Sequence, residues 1–305
     1  MVDVLQVACW GALCVILLPV NIVCLLVLRH TSRVNKVTKV FLMSLTFADL
    51  IVCFLFVMPA IGVALHGGNW PFGAHFCLLQ AVIIQPHFTA VVLSLLAVNV
   101  ERFIAISYPL RHAQIVTVRR SLVVFATIWS MILPLGALTG WYYDWNARYL
   151  PERQSCSFSK DFVYLMVIQD VMIMLTFAIY GRIACIVYRH RRSTIRGGGD
   201  GGGGAQMRRH TPTTSTSRRS DRKSATTIFL ITLSALVCFA PLQFVLMIEI
   251  LGLDMPMGVI VLVNICFASN GLWDALLYYM RNKAIKTATK EYFTSWRTYF
   301  TTFRN

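Results

Sequence analysis

The chain is poor in charge and poorer still in acid. Charged residues make up 13% of its 305 residues, and 13 Asp and Glu stand against 28 Lys and Arg. A soluble domain carries about a quarter charged residues, so a water-filled surface of ordinary proportions is excluded. The nine cysteines form no CxxC pair and no Cys/His spacing suited to a metal. No Asn-x-Ser/Thr sequon occurs. Internal repeats and broken half-spans are lacking, which argues against a transporter. No nucleophile, base and oxyanion donor come together, so no enzyme is expected.

What is abundant is apolar sequence, at 57% of the chain. Seven runs are long enough to cross a bilayer, which takes roughly 20 mostly apolar residues each. They lie near 5–28, 40–65, 75–106, 118–140, 160–188, 223–251 and 257–280. In lipid the backbone must satisfy its own hydrogen bonds, so each run reads as a helix. The expected fold is an all-α membrane protein, a seven-transmembrane helix bundle over 1–280, with a short amphipathic eighth helix and tail over 281–305. The first run lacks a basic leader and is long enough to span, so it is expected as the first helix and not a cleaved signal peptide. The segment outside it is minimal, which places an expected ligand site between the helices.

Basic residues set the orientation. Only Arg148, Arg153 and Lys160 fall on the side of the N-terminus, and the other 25 lie in or beside the opposite loops and tail. Lys and Arg near span ends mark the cytoplasm, so the N-terminus is expected outside and the C-terminus inside. The net charge of +15 is thereby a topology signal that also favours anionic membrane lipid, and nucleic acid is not an expected partner. Seven cysteines lie inside spans as small apolar residues. Cys77 and Cys156 instead face the oxidising side, where their pairing would hold the outer loop over the bundle.

The segment 189–222 is basic, then glycine-rich, then rich in Ser and Thr. It has too little apolar surface to fold and is expected as a disordered cytoplasmic loop. No strand or Lys-Ser/Thr pair frames its glycines, so it is not a phosphate loop. The run Thr211 to Ser220, with Arg218-Arg219, reads either as kinase substrate or as a solvated low-complexity loop. Beyond it, Ile285, Tyr292, Phe293, Trp296, Phe300 and Phe303 alternate with Lys283, Lys286, Lys290 and Arg297, the pattern of a helix lying on a membrane surface.

Arg102 sits in Glu101-Arg102-Phe103 at the inner end of the third run. An arginine there is costly if buried alone. An acid directly before it lets it stay inside the protein as a half-neutralised pair, held in one conformation and released in another.

Landmarks on every span resemble the rhodopsin-like (class A) G-protein-coupled receptors, over nearly the whole chain. They are Asn21, Leu45-Thr46-Phe47-Ala48-Asp49, Trp70-Pro71-Phe72-Gly73, Cys77, Glu101-Arg102-Phe103 with Ser107-Tyr108-Pro109-Leu110, Trp129, Tyr180, Cys238-Phe239-Ala240-Pro241, and Asp274-Ala275 through Tyr278. The resemblance implies a receptor in the plasma membrane that passes an extracellular small-molecule signal to a heterotrimeric G protein, with arrestin and receptor kinases as further partners. The competing reading is a non-signalling, constitutive or heterodimerising relative, kept open by Phe103, Phe239 and Ala275.

The resemblance also implies roles. Arg102 would be the G-protein switch, with Glu101, Tyr180 and Tyr278 around it. Asp221, about 20 residues before Pro241, reads either as a second partner of Arg102 or as a solvated charge beside Arg222. Pro241 cannot donate its backbone N–H and should kink the sixth helix. Phe239 stands where a tryptophan is usual, and with Pro241 and Asp274 would form the activation relay. Ala275 replaces a usual proline, so that kink is expected to be weak. Met172 replaces the usual proline of the fifth helix.

Asp49, Asn270 and Asp274 are polar groups deep in apolar helices, which are costly and functional by default. The resemblance implies a sodium ion at Asp49. Two close carboxylates resist joint ionisation, so a cation or a proton should lie between them. Val91 stands where a serine ligand is often found, with His87 one turn above it. The other reading is a hydrogen-bonded structural network.

Ligand candidates by helical position are Ile84, Gln85 and Phe88; Phe158 in the outer loop; Tyr164 and Ile168; Gln243 and Leu246 with Phe239; and Asn264 with Ala268. Amine receptors carry an aspartate at the position of Ile84, and opsins a lysine at that of Ala268, so neither ligand is expected. Asp170 and Glu249 remain as cation anchors. Short fragments (Leu93 to Ala97, Val237 to Leu242, Ser155 to Phe158) resemble melatonin and adenosine receptors, although Leu246 departs from the adenosine pattern. A small, mostly apolar ligand is expected.

Overall fold

Apolar runs that cannot leave backbone groups bare in lipid form long helices, and the computed structural model contains eight among its described residues. It describes residues 2–32, 34, 36–151, 153–158, 163–196 and 212–304; the side chains of Gln85, Tyr164, Ile168, 187–196, 212–225 and 296–304, among a few others, lie outside the described set. The helices are α1 (Val2–His30), α2 (Lys36–Leu65), α3 (Gly73–Ser107), α4 (Val118–Tyr142), α5 (Val163–Arg196), α6 (Pro212–Ile250), α7 (Met257–Arg281) and α8 (Lys283–Arg304). Six of the first seven are long and apolar enough to cross a membrane among the described residues, and α5, 34 residues long, is the other. The sequence-based spans agree to within a few residues except around the third inner loop. There α5 continues to Arg196 and α6 begins at Pro212, so helix covers both ends of the 189–222 segment. A helix propagates cheaply through Arg, Ser and Thr, whereas each glycine costs it about 1 kcal/mol relative to alanine. Only 197–211 lies outside the described residues.

α3 is the central post, touching α2, α4, α5 and α6, while α1 packs on α2, α7 and α8. Trp10, Leu17, Leu28, Leu42, Val57 and Ile231 are fully buried between them. Leu122, Val123, Leu133, Leu138 and Trp141 point outward from α4, as a lipid-facing surface requires. α8 starts on Asn282, whose side-chain oxygen accepts from the N–H groups of Ala284 and Ile285 at 3.0 and 3.4 Å. This satisfies orphan donors of the first turn. Ile285 and Ala288 turn inward, and Tyr292 stacks on His30.

Prolines decide where the helices make cross-links. Each removes the N–H that would bond the carbonyl four residues earlier. Pro59 frees the Leu55 carbonyl next to a π-helical turn at Cys53–Val57, and Gln80 of α3 donates to it at 2.6 Å. Pro86 frees the Val82 carbonyl, which lies against Gly136 of α4 so closely that a Cβ there would overlap it. Pro241 frees the Val237 carbonyl, and the Cys266 thiol of α7 points to it at 4.0 Å. α7 has no proline but is still interrupted, at Ser269, where the Leu272 N–H bonds the Ser269 carbonyl at 3.0 Å. The irregularity thus sits six residues before Ala275. The Ser269 hydroxyl draws the Cys266 carbonyl to 2.7 Å, competing with the backbone as short hydroxyl side chains do.

Candidate functional site

At the end of the bundle expected to be the inner one, α3 closes at Tyr108 and Pro109 starts a short helix, Pro109–Ile115, that turns back beneath it. This returns His112 to Glu101, whose Oε1 lies 2.8 Å from His112 Nε2. The other oxygen, Oε2, lies 2.6 Å from Arg102 Nε. Arg102 Nη2 donates to Thr38 Oγ1 of α2 at 3.3 Å. Glu101 is 4% and Arg102 9% exposed, so the pair is held inside the protein. One turn above, the Tyr180 hydroxyl donates to Asn99 Oδ1 at 2.5 Å and lies 3.4 Å from Thr232 Oγ1, while Asn99 Nδ2 donates to Thr232 at 3.3 Å. These three residues tie α3, α5 and α6. Tyr278 is buried in the main core, and Arg281 donates to Thr227 at 3.2 Å, joining the inner ends of α7 and α6. The Asp221 side chain lies outside the described residues. Asn99 was missing from the sequence reading, although a polar residue three positions before Arg102 in an apolar run was a sufficient signal.

In the middle, Asp274 accepts from Asn270 Nδ2 at 3.2 Å and from Ser234 of α6 at 3.5 Å. Asp49 lines a small cavity with His87, Val91, Phe239 and Asn270. A Cβ on Gly271 would stand 2.6 Å from Asp49 Cγ, so the missing side chain makes the room that Asp49 occupies. Asn270 Oδ1 is buried without a hydrogen-bond partner, as is His87 Nδ1, while His87 Nε2 lies 3.2 Å from the Ala48 carbonyl. A carboxylate and an orphaned amide oxygen at one cavity suit a hard cation, which prefers oxygen ligands. Val91 adds none from α3. Among the described residues no group of three or more His, Cys, Asp or Glu gathers as a metal cluster. Above this layer Phe88, Phe239 and Phe267 meet with ring centroids 4.5–6.0 Å apart.

At the outer end the Cys77–Cys156 disulfide joins α3 to a hairpin of β1 (Arg148–Leu150) and β2 (Ser155–Ser157). Gln80, one turn below Cys77, accepts from the Cys156 N–H at 2.6 Å while holding the Leu55 carbonyl. Trp70 stacks on Tyr149 and Phe76 beside it. Beneath the hairpin is a cavity between α3, α6 and α7. Of the candidate ligand residues, Ile84, Phe88, Leu246 and Asn264 line it. Gln243 lies in a smaller neighbouring cavity with Phe88, Phe239 and Leu246. Phe158 is packed with Cys77, Ala81 and Cys156 and does not line the larger cavity. It follows the disulfide by two residues, and the staple draws its ring into the hairpin's own core. The side chains of Gln85, Tyr164 and Ile168 lie outside the described residues. Glu249 is engaged by Arg153, whose Nε donates to its two oxygens at 2.8 and 3.1 Å.

The model of the 7 transmembrane receptor (rhodopsin family) matches residues 20–278. Similar curated proteins include the Alpha-1A adrenergic receptor of Cavia porcellus, 33% identical over 43% of this chain and 28% of that protein. The Alpha-1D adrenergic receptor of Mus musculus is 27% identical over 58% of this chain and 31% of its own length. The D(1B) dopamine receptor of Xenopus laevis is 38% identical over 36% of this chain and 24% of its own. The matched part therefore spans under a third of the length of these relatives. The family match covers most of the chain, from the first helix to the inner end of the seventh, and with the seven-helix architecture it places the protein in the rhodopsin family of seven-transmembrane receptors.

Proposed function

We propose that this protein is a plasma-membrane receptor, with its N-terminus outside, that relays a small molecule in the outer cavity to a heterotrimeric G protein at the inner mouth. The observation that carries this reading is the buried Glu101–Arg102 pair lying directly below a polar tie, Asn99–Tyr180–Thr232, that joins α3, α5 and α6. A ligand on Phe88 presses on Phe239 at the base of its cavity. α6 pivots at Pro241, where the backbone bond is already missing. Movement of its inner half pulls Thr232 from Asn99 and Tyr180. Arg102 can then exchange Glu101 for a G-protein group. A ligand shifts such an equilibrium only by binding one arrangement better than the other.

The adrenergic and dopamine names of the relatives do not transfer to this chain, because Ile84 gives the cavity wall a hydrocarbon where an ammonium would need an acid. Asp49 and Asn270 would hold a sodium ion, which would supply positive charge to neutralise the carboxylate. Asp49→Asn should abolish any difference in melting temperature between sodium and a bulky organic cation; a difference that persists removes the ion from the account.

The receptor reading is tested by nucleotide exchange on a panel of G proteins in membranes carrying the full chain. Exchange should fall to background in Arg102→Ala at equal surface amount. Exchange that survives that change, or is absent with every G protein, overturns the reading.

A further inference from the structure

Arg153 sits in the turn of the outer hairpin, three residues before Cys156, and three helices converge on it. Its side chain reaches Glu249 on α6, and its carbonyl accepts from Asn264 Nδ2 on α7 at 3.1 Å. The neighbouring disulfide binds the same hairpin to α3. The side chains of Arg153 and Glu249 are 8% and 13% exposed, so the pair is largely removed from water. Arg153 also lines the cavity beneath the hairpin, and it is the one charged residue on the described wall. Glu249 stands behind it, off that wall. Below Arg153 the surface is hydrocarbon: Ile84, Phe88, Leu242, Leu246 and Val263.

A cavity with one cation at its top and carbon beneath has a definite chemical preference. We propose that it takes an apolar small molecule ending in a carboxylate, which replaces the Glu249 carboxylate on Arg153 and so unties the outer loop from α6. This deepens the receptor reading and rests on it for the consequence inside the cell.

The exchange is balanced in charge. Arg153 keeps an anion throughout, so no guanidinium is left buried and unpaired, the outcome that makes breaking such pairs costly. Guanidinium is well matched to a carboxylate, which it holds through parallel N–H groups. Glu249, near the mouth, is released towards water. The apolar part of the ligand covers the wall residues and supplies the favourable burial. An amine faces the reverse problem. To reach Glu249 it would have to expel Arg153, whose backbone is tied to Asn264, and would leave two cations side by side. Loss of the Arg153–Glu249 tie removes the link between hairpin and α6 above Pro241, the helix that must pivot.

The test is thermal stability of the purified full chain with a series of straight-chain carboxylates of increasing length, beside amines and alcohols of the same skeletons. Acids should raise the melting temperature by several degrees, with amines and alcohols giving less than half the shift. Arg153→Gln should lose the acid shift. Glu249→Gln should strengthen acid binding about tenfold, the scale of one charge-assisted hydrogen bond. If Arg153→Gln fails to fold, the charge-reversed pair Arg153→Glu with Glu249→Arg restores the tie and should lose the acid shift while gaining one for amines. Amines alone stabilising the unaltered chain, no ligand class stabilising it, or an acid shift unchanged in both Arg153 variants, would overturn the proposal. Acid binding without nucleotide exchange on any G protein supports this inference and overturns the receptor reading; exchange driven by amines and not acids does the opposite.

Discussion

At the inner mouth the ion pairs are local, Glu101 meeting the next residue, Arg102, and His112 eleven positions on, and the ties there between distant residues, such as Arg102–Thr38 and Asn99–Thr232, are hydrogen bonds of 3.3 Å. At the outer mouth the ties join residues 79 apart for Cys77–Cys156, 96 for Arg153–Glu249 and 111 for Asn264–Arg153. The contrast separates a part built to let go from a part built to stay. A contact between chain neighbours closes no loop, so it can break and reform with little change in chain entropy. Contacts between distant residues must bring long segments together, a cost that grows with loop length. The outer end meets that cost with a covalent bond and a buried ion pair, and adds Gln80, which grips α2 and the hairpin at once.

Three changes test this contrast, beginning with the largest effect. Cys77→Ala should cost about 2–5 kcal/mol, the usual loss on removing a native disulfide. It should lower the melting temperature and the yield of folded receptor while leaving the Glu101–Arg102 layer able to couple in whatever fraction folds. Coupling abolished in that folded fraction would show that the two mouths are not separable. Glu101→Gln should follow at about 2–3 kcal/mol of weakened restraint on Arg102, since a buried cation loses its charged partner. Its signature is basal nucleotide exchange raised several-fold with a small change in melting temperature. A large stability loss without added exchange would make the pair a structural fixture. Gln80→Met keeps the volume and deletes both polar ends, leaving the Leu55 carbonyl and the Cys156 N–H unsatisfied. That should cost about 1–3 kcal/mol in stability, as orphaned buried groups do, and basal exchange should not move.

Much of the plan was legible in the chain. Apolar runs announced the helices because lipid forces a backbone to bond within itself. Arg102 and Asp49 stood out because charge inside an apolar run is expensive. Cys77 and Cys156 stood out by lying at the end expected to face the oxidising side. Glu249 was visible only as an acid near the top of α6, with nothing local to say that it pairs with Arg153. Gln80 gave no signal, since its partners are a carbonyl freed by a proline 21 residues away and an amide 76 residues on. The interruption of α7 gave no signal either. With alanine at 275 only a weak kink was expected there, whereas the helix breaks at Ser269, whose hydroxyl competes for the Cys266 carbonyl.

By itself the sequence determined the number of apolar spans, their expected orientation, and the identity of the few polar groups placed at high cost within them. These follow from composition and local backbone chemistry, which a linear chain carries in full. Only the tertiary structure decided which carbonyl freed by a proline meets which side chain, that Phe158 packs away from the cavity, and that the described wall of the cavity presents a cation. Those outcomes depend on contacts between helices far apart in the chain, and their partners become neighbours only once the bundle has assembled.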